Sequence, residues 1–548
     1  MRFWGWGEDA HAHGLPGHAR AFLDEHVGTA PSIQAPVTIE QVQLEPSALD
    51  ENARAALVAI AGAENVRDDR VERVLHAAGK GYPDLVRLRA GRPEGAPDAV
   101  VHPGSHAEIR ALLETCAQRS LAVVPFGGGT SVVGGVAPLR GSHRAVIALD
   151  MQRLGELIAL DETSATVTVG AGMRAPALER ELASRGWTLG HHPQSYEYVS
   201  LGGCAATRSA GQSSTGYGAI EKMVLGMKLA APAGEIDLPP LPASAAGPGL
   251  RQLIVGSEGT LGVISELSLR VRRAPERHAY DGVFFESFEA GREAFRALAR
   301  DHALPDVARL SDEAETRMSM ALAGEGGVKG KLGRRYLGAR GYGGGCLAIV
   351  GFDGGAVEVP SRRRRALHLL RRAGGLAVGS SPGRAWREGR FAAPYLRDDL
   401  LSLGVMVETL ETAAQWSRLD GLHRGVSGAI AAALDGQGTP GLVMCHVSHV
   451  YESGASLYFT FLARQRDGSE IEQWEVAKRA ACDAIVAGGG TITHHHAVGR
   501  DHAPWMEQEI GREGIELLRA AKVQLDPAGV MNPGKLLGST SATPAGTG

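Results

Sequence analysis

Three consecutive histidines, His494, His495 and His496, are the residues near the carboxyl end whose types most clearly suit chemistry. Imidazoles titrate near neutral pH and can carry protons. Side chains alternate between faces in an extended strand and turn by about 100° per residue in a helix, so the three cannot all point at one atom. The run therefore favours one or two proton carriers and no metal site, and the competing interpretation is a histidine-rich turn in solvent.

Two tyrosines precede these histidines in the stretch "HVSHVYESGASLYFTFLARQ". Tyr451 lies before a glycine, and Tyr458 falls on a predicted strand with alternating residues, where a tyrosine usually serves packing. A phenol has an ordinary pKa of about 10, so proton transfer would need tuning by neighbours such as the histidines. A third stretch carries Arg397 beside Asp398 and Asp399. It predicts either a surface ion pair or a guanidinium clamp for a phosphate or carboxylate.

A glycine-rich loop, "PFGGGTSVVGG" at 125–135, directly follows the apolar run "LAVVP". Bare backbone amides, with the hydroxyls of Thr130 and Ser131, can surround an anionic group. A turn and another strand follow instead of a helix, and no Gly-Lys-Ser/Thr ends the loop. These features argue against a dinucleotide-binding Rossmann turn and against a P-loop.

Two further stretches of the same region are rich in small residues: 193–224, which contains "SLGGCAATRSAG", and 256–266, "GSEGTLGVISE". Three such loops in one predicted domain indicate a long ligand that is contacted at several points. A dinucleotide has the required length and charge.

The order P-x-G-G-G-T-S, then S-x-E-x-x-S-x-G-G-x-x-A-T-R, then G-S-E-G-T-L-G-V-I resembles the FAD-binding domain of the vanillyl-alcohol-oxidase superfamily, also called PCMH-type flavoproteins. In that family such loops hold the FAD pyrophosphate. The resemblance implies FAD contacts from these residues: Pro125, Phe126, Gly127, Gly128, Gly129, Thr130, Ser131, Gln194, Ser195, Tyr196, Glu197, Tyr198, Val199, Ser200, Thr207, Arg208, Ser209, Ala210, Glu258, Gly259, Thr260, Leu261, Gly262, Val263 and Ile264.

The resemblance also bears on how the flavin is held. Some members of the superfamily link it covalently to a histidine in the first glycine loop, where this chain has Gly129 and Thr130. His191 and His192 are interpreted as structural residues or as neighbours of the cofactor. We therefore expect non-covalent FAD.

Within that superfamily the chain resembles the alkyldihydroxyacetonephosphate synthases. The matching stretches are "RFWGWG", "RLSD" at 309–312, "YLRDDLL", "VETLETAAQW", "YESGASLYFTF", "HHHAVGRD" and "LDPAGV". Relatives that oxidise D-lactate or glycolate typically have Gly-Glu-His-Gly where this chain has His494 to Ala497. Two features depart from the synthase pattern: Ala497 replaces a common glycine, and "MNPGKLL" is closer to flavin dehydrogenases.

This resemblance implies a transferase that exchanges the acyl group of acyl-dihydroxyacetone phosphate for a long-chain alkoxy group, as in ether lipid synthesis. Tyr458 would donate or accept the proton, His494, His495 and His496 would assist proton transfer, Arg397 would bind the phosphate and Arg309 would support the site. Oxidised FAD would trap the substrate carbon through N5 without net redox change. The alternatives are an FAD-dependent dehydrogenase or oxidase of a D-2-hydroxy acid of the lactate or glycolate type, and a flavin-binding protein without turnover.

The elements that must position these residues indicate an α+β fold. We predict a helical amino-terminal segment at 1–95, a PCMH-type FAD-binding domain with two sheet regions at 96–275, and an α+β substrate or cap domain at 276–500. A helical carboxyl-terminal segment at 501–548 should end in ten disordered residues. The proline-rich stretch 238–249 should be a surface loop.

Composition bears on the cellular compartment and the binding partners of the protein. The net charge of −4 provides no general attraction for nucleic acid. The five scattered cysteines indicate a reducing compartment, and no signal peptide, long apolar run or peroxisomal address is visible. We expect a cytoplasmic homodimer acting on lipid substrates, and the preference for Arg over Lys suggests a bacterial source. Exposed aliphatic residues of the amino-terminal helices or of segment 320–345 would allow peripheral membrane contact.

Overall fold

The fold is described from a computed structural model that covers residues 1–8, 15, 17–30, 34–322 and 328–538, with side chains omitted at 328–331. The ten terminal residues expected to be disordered, and part of the segment 320–345, lie outside these described residues. Short 3-10 turns occur at Ile39–Gln41, Ala63–Asn65, Met151–Arg153 and Ala503–Trp505.

In its described residues, the amino-terminal region contains four α-helices separated by irregular segments. Asp50 and Asp69 each cap a helix by accepting a hydrogen bond from a backbone amide of the first turn. One short strand joins the sheet of the next region. The elements are α1 (Gly17–His26), α2 (Glu51–Ala61), β1 (Val66–Arg67), α3 (Arg70–Leu75) and α4 (Tyr82–Arg89).

A four-stranded sheet opens the region predicted to bind FAD. Its elements are β2 (Ala99–Val101), α5 (His106–Arg119), β3 (Leu121–Phe126) and β4 (Ala145–Asp150). The order is β1-β2-β4-β3, with β2, β4 and β3 parallel. The apolar run "LAVVPF" forms β3, and Phe126 lies opposite Asp150 at the end of β4. The glycine loop therefore starts where both strands end, the usual place for a ligand beside a parallel sheet.

A five-stranded antiparallel sheet of order β5-β6-β10-β8-β9 and a two-stranded ribbon β11-β7 complete this region. The stretch 239–249 has no helix or strand and is exposed, so the predicted surface loop is confirmed. The elements are β5 (Leu157–Asp161), β6 (Thr166–Gly170), α6 (Ala175–Ala183), β7 (Trp187–Thr188), α7 (Leu201–Ala206), α8 (Ser214–Tyr217), α9 (Ile220–Met223), β8 (Val224–Ala231), β9 (Gly234–Leu238), α10 (Leu250–Ile254), β10 (Val263–Arg270) and β11 (Arg272–Arg273).

The second half of the chain builds a seven-stranded antiparallel sheet of order β15-β12-β14-β13-β17-β18-β16. Helices pack on it around a separate apolar core that includes Phe285, Phe295 and Phe459. The elements are β12 (Arg277–Phe285), α11 (Phe288–Arg300), β13 (Val307–Ser311), α12 (Glu313–Leu322), α13 (Val328–Ala339), β14 (Cys346–Gly354), α14 (Glu358–Arg372), β15 (Leu376–Gly379), α15 (Ser381–Gly389), α16 (Ala393–Ser402), β16 (Val405–Gln415), α17 (Leu419–Gly436), β17 (Leu442–Val450), β18 (Gly454–Arg464) and α18 (Glu470–Ala487).

The carboxyl-terminal region leaves the seven-stranded sheet and returns to the four-stranded sheet. Helix α19 (Met506–Leu525) is interrupted at Gly511, where the backbone is not helical. Beyond it the chain pairs with the open edge of β3: the Val123 amide donates to Val530, and the Asn532 amide donates to Val123. The mixed architecture confirms the predicted α+β class. Among the described helices, none has both the length and the apolar content needed to cross a membrane.

Candidate active site

A cavity of about 550 Å³ lies between the first two sheets and the seven-stranded sheet. It brings together most of the residues predicted to form the site. Tyr458, Arg397, Arg309, His495 and His496 line it. So do these residues of the three small-residue loops: Pro125 to Ser131, Gln194, Ser195, Val199, Ser200, Thr207, Ser209, Ala210, Glu258, Gly259, Gly262, Val263 and Ile264.

Seven predicted site residues do not line the cavity, and those whose contacts are described next bond or stack to residues outside the lining. They are Tyr196, Glu197, Tyr198, Arg208, Thr260, Leu261 and His494. Arg208 holds the third loop from behind by donating to Gln252 and to the carbonyl of Val255. Tyr196 stacks on Phe391 with ring centroids 5.1 Å apart. His494 bonds to the Tyr451 hydroxyl at 2.5 Å.

The first loop is shaped by its contact with the second. A Cβ on Gly127 would lie 2.1 Å from the Ser200 hydroxyl oxygen, and one on Gly128 would lie 2.2 Å from the Tyr198 carbonyl oxygen. Gly129 has a left-handed φ of 65°. Among the described residues, no hydrogen bond uses the amides of Gly128, Gly129 or Thr130, although they line the cavity. The glycines thus allow the loops to pack closely, which leaves free amides for an anion.

The third loop is tied to the carboxyl-terminal region through Glu258. Its carboxylate accepts hydrogen bonds from the amides of Val498 and Gly499 at 2.8 and 2.7 Å. Burial raises the pKa of Glu258 to about 7. Asn532 bridges the loops by donating from Nδ2 to the carbonyls of Glu258 at 2.7 Å and Gly135 at 3.1 Å.

Asn532 belongs to "MNPGKLL", which the sequence analysis singled out without assigning a role. The same stretch provides Lys535, whose buried Nζ donates to the Ala137 carbonyl at 2.5 Å. Their sequence distance from the loops conceals this function. The residue type of Asn532 is the one available signal, because Asn tolerates its left-handed φ of 41°.

The loops fit a flavin dinucleotide. Unpaired amides and small side chains on a shared cavity wall offer anion binding together with close backbone approach. His191 is buried and contacts the Ser209 hydroxyl at 2.8 Å, and neither His191 nor His192 lines the cavity. Non-covalent attachment stays a prediction.

The three histidines are arranged around one buried carboxylate, Glu411 on β16. The amides of His495 and His496 donate to Glu411 Oε1 at 3.0 and 2.7 Å, and the His494 amide donates to Oε2. Burial alone would raise the pKa of Glu411, but charge on the histidines and these amides hold it well below its ordinary value. The carboxylate thereby turns the histidine backbone toward itself and the rings toward the cavity and Tyr451.

Burial and neighbouring histidines lower the pKa of His494 to about 4, and burial is the main cause of a similar pKa of about 4 at His495. Both are neutral imidazoles near pH 7 and can accept protons. Ring nitrogens of His449, His494 and His495 lie within 4.8 Å of one another. Transition metals accept such ligand sets, so the prediction of a metal-free site remains a prediction.

Tyr458 on β18 lies between Glu411 on β16 and His446 on β17 in register. Its ring stacks on His446 at 4.9 Å and meets His496 edge-on at 5.4 Å. Burial raises the pKa of Tyr458 to about 12. The neighbours therefore keep the phenol protonated, which favours the donor over the acceptor of the two predicted roles.

Arg309 is held in place beside Tyr458 and His446. It donates to Glu315 Oε1 at 2.8 Å and to His446 Nε2 at 2.9 Å. Burial would raise the pKa of Glu315, but Arg309 and His446 outweigh it and lower the pKa to about 2. Glu315 and His446 were not among the predicted site residues, although Glu315 lies six residues after Arg309 and His446 opens the stretch that contains Tyr458.

Arg397 is not the exposed ion-pair partner that its acidic neighbours suggested. It lines the cavity and donates from Nη1 to the Lys80 carbonyl at 2.6 Å, while Nε is buried without a partner among the described residues. Lys80 lines the same wall, and burial together with Arg397 lowers its pKa to about 7. Arg397 and Lys80 thus place two basic groups side by side on a wall suited to a phosphate.

One part of the cavity is apolar, between α12, α16 and the sheet. Its lining residues are Met318, Leu322, Leu396, Leu400, Val407, Met444 and Leu462. They belong to a small hydrophobic cluster that also includes Leu23 of α1. This wall can accommodate a hydrocarbon chain.

Ala497, which replaces the glycine common in the resembling family, has a left-handed φ of 76° and is buried. That conformation explains why glycine suits the position. The Nδ1–H of His502 donates a hydrogen bond to the Ala497 carbonyl at 2.9 Å, which helps to hold the turn.

The paired loops, the cap sheet and the cavity between them define an FAD-linked flavoprotein of two domains. The family description "FAD binding domain" matches residues 97–237, and "FAD linked oxidases, C-terminal domain" matches residues 274–536. FAD is thus the cofactor of this class of protein.

Comparisons over most of the chain identify the family within this class of flavoprotein. Alkyldihydroxyacetonephosphate synthase of Dictyostelium discoideum is 32% identical over 91% of this chain and 83% of its own length. The protein of that name from Trypanosoma brucei brucei is 34% identical over 87% of this chain and 79% of its own. A solved structure titled alkyldihydroxyacetonephosphate synthase superposes with a TM-score of 0.86, at 28% identity, covering 98% and 99% of the two chains. The chain belongs to the alkyldihydroxyacetonephosphate synthase family.

Proposed function

We propose that this protein exchanges the acyl group of acyl-dihydroxyacetone phosphate for a long-chain alkoxy group, releasing a fatty acid. The observation that carries the proposal is a single cavity in which the flavin loops, the basic wall of Arg397 and Lys80, and an apolar wall surround Tyr458. Those walls match the flavin, the phosphate and the hydrocarbon chain of such a substrate. Bound oxidised flavin would supply an electron sink next to the reacting carbon.

The residues have distinct proposed roles. Arg397, with Lys80 beside it, would hold the phosphate, since its buried Nε lacks a protein partner among the described residues. Arg309 would keep His446 and Glu315 in place beside the reacting carbon.

Proton transfer is assigned to Tyr458 and the histidines. The Tyr458 hydroxyl would donate a proton, because burial keeps it protonated. His495 and His496, which are neutral near pH 7, would take up the proton of the incoming alcohol, and His494 would orient them through its bonds to Tyr451 and His495.

The decisive experiment incubates the purified protein anaerobically with acyl-dihydroxyacetone phosphate and labelled hexadecanol. We expect labelled ether product and fatty acid release that depends on the alcohol, with the flavin still oxidised at the end. Bleaching of the flavin by D-lactate or glycolate, with no ether product, would support the oxidase alternative. That alternative is less well supported, because relatives sharing about a third of their residues over most of the chain carry the synthase name.

We propose the four-part domain division and the residue assignments above on the same grounds. Peripheral membrane contact is supported by Leu332 and Tyr336 of α13, whose exposed fractions are 68% and 50%. Vesicle flotation with and without Leu332→Ser tests this contact. A homodimer, a cytoplasmic location and a bacterial source stay predictions, of which sedimentation of the purified protein tests the first.

A further inference from the structure

The segment Arg2–Gly7, here called the strap, forms part of the cavity wall although it is distant in sequence from every flavin loop. Trp6 has an exposed fraction of 2% and lines the cavity. Its amide donates to Asp398 Oδ2 on α16 at 2.5 Å, and its indole nitrogen donates to Glu197 Oε2 in the second flavin loop at 3.0 Å. Trp6 therefore bridges the flavin-binding half and the cap half of the site.

The strap is held on one side by Lys80. The Lys80 Nζ atom donates to the carbonyls of Arg2 and Phe3, both at 2.9 Å. The Arg2 amide donates to the Gly7 carbonyl at 2.8 Å and closes the segment into a loop. The Lys80 carbonyl also accepts from Arg397, so the strap and the basic wall of Arg397 and Lys80 share one anchor.

Two glycines allow the strap to lie flat against α16. A Cβ on Gly5 would stand 2.4 Å from Asp398 Oδ2. A Cβ on Gly7 would stand 2.2 Å from the Tyr395 ring, at a left-handed φ of 68°. Any side chain at Gly7 must lift the strap or displace Tyr395.

We propose that the strap seals the cavity against water and thereby decides whether the reacting carbon is captured by the alcohol or by water. This proposal rests on the proposed function. In the exchange, the bond between C1 and the ester oxygen breaks and C1 bonds to the alcohol oxygen, while the hydroxyl proton of the alcohol accompanies the departing carboxylate as fatty acid. With water as the nucleophile, C1 gains a hydroxyl, the second proton of water accompanies the carboxylate, and the products are dihydroxyacetone phosphate and fatty acid.

Water exclusion matters for this chemistry because water is far more concentrated than a long-chain alcohol and needs no binding wall. A transferase that leaves its reacting carbon open to solvent therefore becomes a hydrolase. The strap closes the cavity between Glu197 and Asp398, through contacts on both halves. Trp6 is thus a specificity-determining residue for the nucleophile.

The test compares Gly7→Ala and Trp6→Ala with the matched control Gly17→Ala, in the holoprotein. A Cβ on Gly17 meets nothing within 4 Å. Acyl-dihydroxyacetone phosphate is supplied with and without hexadecanol, and both dihydroxyacetone phosphate and ether product are quantified. We expect the ratio of hydrolysis to ether to rise at least fivefold in both strap variants, and to change less than twofold in Gly17→Ala.

Hydrogen exchange measured by mass spectrometry provides the independent readout. The amides of Arg2 and Trp6 should be protected in the wild type and should exchange at least tenfold faster in Gly7→Ala. Faster exchange with an unchanged product ratio would overturn the proposal, and so would unprotected wild-type amides. If the wild type makes no ether, the proposed function fails instead, and the exchange rates still decide whether the strap closes the cavity.

Discussion

The Tyr458 hydroxyl is the group on which proton donation depends at the residue scale. Its pKa of about 12 means that the phenol is protonated throughout the working pH range. We expect Tyr458→Phe to lower kcat by a factor of about 10² to 10⁴, the range typical of general acid loss. Steady-state kinetics with ether product as the readout measure this change.

Two comparisons separate the loss of the donor from damage to the fold. Tyr458→Phe should keep its flavin, because only the hydroxyl is removed. Tyr336→Phe, at an exposed position on α13, should retain full activity. Equal rates for Tyr458→Phe and wild type would remove Tyr458 from the proposed mechanism.

Gly128 is the residue-scale test of the flavin loops. An added Cβ would lie 2.2 Å from the Tyr198 carbonyl oxygen, so Gly128→Ala must push the first two loops apart. We expect FAD affinity to fall at least tenfold, measured by flavin fluorescence during titration of the apoprotein. Gly234→Ala, where a Cβ meets nothing within 4 Å, should bind FAD like the wild type. Normal affinity in Gly128→Ala would argue against these loops as the flavin site.

At the scale of elements, the carboxyl-terminal stretch after α19 functions as part of the flavin-binding half. Asn532 holds two loops by donating to Gly135 and Glu258. We expect Asn532→Gly, which keeps the left-handed backbone, to weaken FAD binding about tenfold, consistent with about 1–3 kcal/mol for unsatisfied buried acceptors. The rate of flavin release after dilution provides the measurement.

Asn65→Gly is the matched control for this change. Asn65 also donates from Nδ2 to a backbone carbonyl, that of Ala61, but outside the cavity lining. It should lower thermal stability without changing flavin release. If both variants released FAD equally fast, the effect would be one of general stability.

The sequence predicted best those elements whose residue pattern lies within one short segment. Small residues after an apolar run placed the loop 125–135 correctly at the end of β3, and alternation placed Tyr458 on β18. Glu411 and Lys80 could not be found in this way, because their partners are distant in the chain. Glu315 lies only six residues after Arg309, but no local pattern marks it as a partner. A buried charge is defined by what surrounds it, and spacing along one segment does not contain that information.

Arg397 shows that closeness in sequence can also suggest a partner that the folded structure does not provide. Its neighbours Asp398 and Asp399 suggested a surface ion pair as one interpretation. On α16 these side chains diverge: Asp398 turns to the strap and Arg397 to the cavity. Helical geometry separates adjacent residues by about 100°, so sequence adjacency is weak evidence for pairing.

At the scale of the whole molecule, buried neutral histidines should make the fold sensitive to acid. Burial lowers the pKa of His191, His494 and His495 to about 4, and of His192 and His502 to about 3. Unfolded histidine has a pKa of about 6.5. Their stabilising contribution is therefore present above pH 6.5 and is lost as the pH falls toward 4 and 3.

Buried acids oppose this trend, and for two of them, Glu258 and Asp501, burial raises the pKa to about 7. Near pH 5 the native state holds these two protons, while the unfolded state binds protons on the five histidines. Because the histidines outnumber these two acids, the unfolded state binds more protons than the native state in this range. We expect the free energy of unfolding to fall steeply between pH 6.5 and 4.5, measured by guanidinium denaturation of the holoprotein.

A pair of variants tests the origin of this slope. His502→Gln removes one buried imidazole and should reduce the slope by about one proton. His302→Gln changes an exposed side chain and should leave the slope unaltered. An identical slope in both variants and the wild type would assign acid sensitivity to other groups.

The pairing of Val123 with Val530 and Asn532 has a consequence for how the protein is made. On a ribosome, the strand that precedes the first glycine loop emerges about four hundred residues before the segment that covers its edge. Until synthesis reaches that segment, one edge of β3 is unpaired, and the loops lack the hydrogen bonds that Asn532 donates. We therefore expect the nascent polypeptide to bind no FAD, and so to remain colourless, until the segment that contains Val530 and Asn532 has left the ribosome. During that interval it should depend on chaperones.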